Sequence, residues 1–134
     1  MNGVPETSLP DFYVIGAQKA ATTSLFAWLS RQHYCNLPRT KEPHFFSDTE
    51  NFSRGLEWYL SLFDNKREGS IRGDIDPDYL CSPESPERIS MIHGENKPRF
   101  VVLLRDPYNR ARSHWQMAFR KGLESRELHQ AFAE

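Results

Sequence analysis

The chain has 134 residues, enough for one domain with a buried core, and leaves little room for a second. Hydrophobic residues make up 38% and aromatic residues 13%, more apolar surface than a solvated tail carries, so the sequence is that of a globular protein. With 17 Lys plus Arg against 18 Asp plus Glu and a formal net charge of -1, no global field recruits nucleic acid or acidic lipid, and any anion site has to be local.

Residues 1–10 read as a disordered N-terminal segment and residues 11–134 as one domain. The first ten residues are polar and lack the basic start and apolar run of a leader, and no stretch is long enough to span a bilayer. A cytoplasmic setting without membrane insertion is therefore expected. Asp11 to Ile15 is short, aromatic and β-branched and breaks at Gly16, which reads as a buried strand ending in a loop. Beyond the loop, Thr22, Thr23 and Ser24 precede Leu25, Phe26, Trp28 and Leu29, whose spacing gives a helix one apolar stripe.

Gly55 to Phe63 reads as an aromatic-rich helix, and Ser70 to Ile75 as a short strand ahead of Asp76-Pro77. Pro83, Pro86 and Glu87 open a helix that runs through Ile89 and Ile92 to about Gly94. Phe100 to Leu104 is continuously apolar, as expected of a parallel strand covered on both faces. Asp106-Pro107 then supplies an N-cap and a first-turn proline, so a helix should start there and run to about Gly122, with Ser125 opening a last amphipathic stretch to Phe132. Cys35 and Cys81 lack the close spacing of a zinc or redox motif and are expected to be free thiols.

Strands alternating with helices predict an α/β fold, a P-loop-like parallel sheet with helices on both faces, whose ligands bind at the carboxyl ends of the strands. The loops after Ile15 and Leu104 both fall there. In Gly16 to Ser24, exposed amides, a helix dipole, Lys19 and the hydroxyls of Thr22, Thr23 and Ser24 converge on one point, the makings of a phosphate or sulfate site. It is not a Walker A loop, which would need Gly and Lys where Ala21 and Thr22 stand. In Leu104 to Trp115, Arg105 can present a bidentate fork to a phosphate, and Ser113 lies on the helix that follows. Each loop alone has a plain alternative: a solvated lysine in an ordinary turn, and arginines paired with surface acids. Together they predict a ligand with two separated anionic groups.

VIGAQKAATTSL, KEPHFF and LLRDPYNRARSHW occur in the order seen in sulfotransferases, and the chain resembles most the carbohydrate type that includes the heparan sulfate enzymes. The resemblance covers nearly the whole chain and implies 3′-phosphoadenosine 5′-phosphosulfate as co-substrate. It implies that Lys19, Ala20, Ala21, Thr22, Thr23 and Ser24 hold the 5′-phosphosulfate, with Lys19 stabilising charge on the leaving oxygen, while Arg105 and Ser113 hold the 3′-phosphate. It assigns the general base to Glu42, next to the apolar pair Phe45-Phe46; His44 is a rival base, a group orienting Glu42 or, ranked first, a packed histidine. His44 and Asp74 are candidate contacts to the acceptor, a glycan or small molecule, and no metal is expected.

Three departures from the family are visible. Ala20 and Ala21 stand where such loops often have glycine, so a position requiring positive φ would be strained. Ile75 stands where heparan-type enzymes carry a lysine, in acidic surroundings. The family's catalytic domains continue well past the helix of Arg105 to Ser113, so the fold is expected to be incomplete at its C-terminus. An active sulfotransferase and a non-catalytic nucleotide-binding fragment or pseudoenzyme both remain open, and a kinase-like use of ATP and magnesium is disfavoured by the missing Walker lysine.

Overall fold

The computed structural model describes residues 9–133. Most of the expected N-terminal segment 1–10 lies outside them; its last two residues, Leu9 and Pro10, are buried.

Four parallel strands form the sheet: β1 (Phe12–Gly16), β2 (Cys35–Asn36), β3 (Ile71–Ile75) and β4 (Arg99–Val102), in the order β2-β3-β1-β4. β1 pairs with β3 in the register Tyr13↔Asp74 and with β4 in the register Tyr13↔Phe100. The connections carry α1 (Thr22–Leu29), α2 (Thr49–Ser53), α3 (Leu56–Ser61), a 3₁₀ helix (Pro77–Leu80) and α4 (Ser85–His93); α5 (Pro107–Arg120) and α6 (Leu128–Ala131) follow β4. Among the described residues, no helix is long and apolar enough to cross a membrane.

Local chemistry accounts for the boundaries. Asp106 caps α5, its carboxylate accepting the Asn109 N–H at 2.9 Å, and Pro107 fills the first position, where a missing N–H costs nothing. Gly94 ends α4 at φ 57, a conformation open to glycine. Asp48 caps α2, a helix its five-residue length kept below the reach of periodicity. The expected helix from Gly55 to Phe63 forms as α3, shorter by a residue or two at each end. Ser125 does not open the last helix; Glu127 does, in a reciprocal capping pair with Gln130.

The core is aromatic: Tyr13, Phe45, Phe46, Tyr59, Phe63, Tyr79 and Ile89 pack as one buried cluster. Phe45 stacks on Tyr59 with ring centroids 4.4 Å apart, and Phe46 meets Tyr13 and Tyr79 edge-on. Phe45 and Phe46 are wholly buried, each a contribution of about 2–3 kcal/mol by apolar burial. They anchor the loop that carries Glu42 to the centre of the domain.

β4 differs from expectation. Its apolar run suits a strand covered on both faces, yet it lies at one edge of the described sheet, with Phe100 52% and Leu104 85% exposed. Extended pairing also ends at Val102, two residues earlier than the apolar run. α5 buries none of its residues fully, though the cap sets its start as expected.

Candidate functional site

Two loops meet at the carboxyl ends of the neighbouring strands β1 and β4. Leu103 donates its N–H to the Gly16 carbonyl at 2.8 Å and accepts from Ala17 N–H at 3.0 Å, which locks the residues before Arg105 to the start of the Gly16–Ala21 loop. Arg105 then reaches across, its Nη1 donating to the Lys19 carbonyl at 3.1 Å. Gly16 is required here, because a Cβ would stand 2.7 Å from a Leu80 side-chain carbon of the 3₁₀ helix.

The first loop ends at Ala21, which enters α1 in the left-handed region at φ 68 and offers no side chain to cap it. The first-turn amides of α1 are thus left for a ligand, at the positive end of the helix dipole. Lys19 is half-buried and, among the described residues, forms no ion pair. Ala20 and Thr22 are buried, whereas Thr23 and Ser24 are exposed, so the six expected contact residues do not face solvent equally. Ser113 lies on α5, half-buried and with no side-chain hydrogen bond to another described residue.

The second cluster surrounds Glu42. Glu42 is half-buried and its carboxylate contacts the Lys41 ammonium, a partner not anticipated from sequence. Phe45 and Phe46, which follow Glu42 closely in sequence, both pack into the core. His44 is not the packed histidine ranked first. Its ring is 39% exposed and its Nδ1 lies 3.1 Å from Asp76 Oδ2 and 3.3 Å from Asp78 Oδ2, without hydrogen-bond alignment. Its backbone N–H does donate to Asp76 Oδ2, at 2.7 Å. Asp78 in turn accepts from Gln18 Nε2 at 2.5 Å, so a polar chain runs from the anion loop through Asp78 and His44 to the Glu42 loop.

Among the described residues, the non-glycine positions with positive φ are Lys19 (64°), Ala21 (68°), Glu42 (56°) and His44 (51°). All four fall in these two loops, and Glu42 also precedes a proline, which narrows its freedom further. Such conformations carry strain that the surrounding structure has to hold in place.

Asp74, expected to touch the acceptor, is fully buried. Its Oδ2 accepts from Tyr59 Oη at 2.7 Å and Tyr79 Oη at 2.9 Å, and burial pushes its carboxyl up to about 7. It is a core carboxyl with no surface for a substrate. Asp76 is raised too, by burial, against the pull of His44. The trio His44, Asp76 and Asp78, whose ligand-type atoms lie within 4.8 Å of one another, left as its only trace in the sequence the acidic Asp76-Pro77-Asp78 segment.

No protein-family model matches the chain. It is 32% identical over 120 residues to heparan sulfate glucosamine 3-O-sulfotransferase 3B1 of Homo sapiens, covering 90% of this chain and 30% of that protein. It is 34% identical over 113 residues to the human 3A1 enzyme of the same name, covering 84% of this chain and 27% of that protein. The crystal structure of a sulfotransferase from Alicyclobacillus acidocaldarius superposes with a TM-score of 0.76 at 27% identity, over 93% of this chain and 56% of the other. The chain thus spans less than a third of the length of these curated relatives. In both sequence and fold, the chain is similar to sulfotransferases over most of its own length.

Proposed function

We propose that this chain carries the donor site and the general base of a sulfotransferase acting on a carbohydrate, with 3′-phosphoadenosine 5′-phosphosulfate as donor. The observation that carries the reading is the junction of the two loops: Arg105 bonded to the Lys19 carbonyl at the carboxyl ends of adjacent parallel strands. A donor with two anionic ends suits such a junction. Lys19 and the uncapped amides of α1 meet the 5′-phosphosulfate, while Arg105 and Ser113 meet the 3′-phosphate; Arg105 has to share or leave the Lys19 carbonyl to do so.

In the proposed step a new S–O or S–N bond to the acceptor forms as the S–O bond to the leaving phosphate breaks. Lys19 stabilises the charge growing on that phosphate oxygen, and Glu42 takes the acceptor's proton. Lys41 contacts the Glu42 carboxylate. The proposed scheme uses no metal; both Asp76 oxygens accept backbone N–H groups, from His44 and Asp78. A cytoplasmic setting belongs to the same proposal, and the two free thiols, Cys35 and Cys81, fit a reducing compartment.

The relatives named above are sulfotransferases in full, and this chain spans a fraction of their length, so a nucleotide-binding role without turnover is the second reading. Titration of the chain with 3′-phosphoadenosine 5′-phosphate tests what the two readings share, and a sulfuryl-transfer assay separates them.

A further inference from the structure

This inference rests on the reading of Glu42 as base and concerns what aims it. Glu42 and His44 take the left-handed region at φ 56 and φ 51, on either side of the buried Pro43. Between Pro43 and His44 lies one peptide group, and both of its ends are held. Asn51 Nδ2 donates to the Pro43 carbonyl at 3.2 Å, and the His44 N–H donates to Asp76 Oδ2 at 2.7 Å. A trans peptide carries its C=O and N–H on opposite edges of one plane, so two such bonds fix the orientation of that plane, and with it ψ of Pro43 and φ of His44.

Both partners stand on rigid elements. Asn51 sits in the first turn of α2, its own N–H bonded to the capping carboxylate of Asp48 at 2.9 Å, and Phe52 of the same helix packs against Phe45. Asp76 is wholly buried; its N–H donates to the Val14 carbonyl of β1 at 3.0 Å, and its other oxygen accepts from Asp78. Phe45 and Phe46 anchor the chain that follows, but apolar burial is non-directional and does not choose between the two faces of the peptide before them. The paired hydrogen bonds do, because turning the peptide over would strand its N–H and its carbonyl. We propose that Asn51 and Asp76 are positioning residues, which clamp the Pro43–His44 peptide from its two edges and so set the direction in which the preceding residue, Glu42, presents its carboxylate.

Two variants separate this role from a general contribution to folding. Asn51→Asp keeps the size of the side chain and suits the first turn of a helix, yet its carboxylate cannot donate to Pro43. Asp76→Ser can still cap Asp78 but is too short to reach His44. Each is compared with the parent chain by calorimetric titration with 3′-phosphoadenosine 5′-phosphate and by NMR exchange of the His44 amide. Sulfuryl transfer is then followed from labelled 3′-phosphoadenosine 5′-phosphosulfate to heparan sulfate and to a glucosamine oligomer. Nucleotide affinity should stay within about twofold, since neither side chain belongs to the donor loops. The His44 amide should exchange roughly tenfold faster or more in Asp76→Ser. In both variants kcat should fall roughly tenfold or more with the acceptor KM within about threefold, as expected when a base is misaimed. The double variant should lose little beyond the larger single loss, because both side chains act on one peptide. The proposal is overturned if the His44 amide keeps its protection in Asp76→Ser, if either variant transfers at the parent rate, or if nucleotide affinity falls in step with kcat. A parent that binds the nucleotide and transfers to neither acceptor sinks the sulfuryl-transfer reading and this role with it, whereas a working parent with unchanged variants sinks the clamp alone.

Discussion

The guanidinium of Arg105 sits on the carbonyl of Lys19, 3.1 Å away, although 86 residues of chain separate them. The two loops are held together at the strand ends by the paired hydrogen bonds of Leu103 with Gly16 and Ala17. Lys19→Ala and Arg105→Ala are each expected to weaken binding of 3′-phosphoadenosine 5′-phosphate by roughly tenfold or more, as a lost charge-assisted contact would. Because Arg105 also supports the loop of Lys19, the double variant should lose less than the two single losses combined; a double-mutant cycle by calorimetry reads that coupling.

Ala21 holds φ 68 in the turn that opens α1. Glycine adopts this conformation freely, and alanine does so at a cost of about 1 kcal/mol. Ala21→Gly is therefore expected to raise the thermal midpoint by roughly 3–5 °C in a domain of this size, measured by circular dichroism. An unchanged or lowered midpoint would show that the strain is relieved elsewhere.

Asp74 makes stability depend on pH. Its folded pKa is raised from 3.8 to about 7, so between these values the folded chain holds a proton that the unfolded chain has released. Its contribution is full below about pH 4, falls as pH rises towards 7, and is flat beyond, amounting to a few kcal/mol at most. Urea unfolding across this range should show the decline, and Asp74→Asn should flatten it while still accepting from Tyr59 and Tyr79.

Much of the local structure of the candidate site could be read from the sequence because its parts are contiguous. Gly16 to Ser24 and Leu104 to Ser113 are contiguous strand-loop-helix segments, and an N-cap followed by proline announces α5 without any tertiary information. What could not be read depends on folding. His44 meets Asp76 and Asp78 across 32 residues or more, and Tyr59 meets Asp74 across 15, contacts that no periodicity encodes. Asp74 reads from the sequence as a candidate contact to the acceptor, and only the aromatic core turns it inward. β4 reads as an inner strand and lies at an edge of the described sheet, since pattern records the environment a strand suits and not its place in the order.

Glu42→Gln keeps the size and hydrogen bonding of the proposed base but cannot take the proton. Where sulfuryl transfer is detectable, it should fall by roughly 10²-fold or more with nucleotide affinity nearly unchanged, and His44→Asn should cost less. The reverse order would move the base to His44. A chelator should change neither nucleotide binding nor transfer, and a loss on chelation restored by a divalent cation would give His44, Asp76 and Asp78 a metal role.

The account stands most directly on calorimetric titration of the chain with 3′-phosphoadenosine 5′-phosphate, adenosine 5′-phosphate and ATP with magnesium. Two anion loops meeting beside Lys19 and Arg105 predict saturable binding of the first, weakened by roughly tenfold or more when the 3′-phosphate is absent, and Arg105→Ala should cancel that difference. Equal affinity for the two monophosphate nucleotides, or tighter binding of ATP with magnesium, would contradict it.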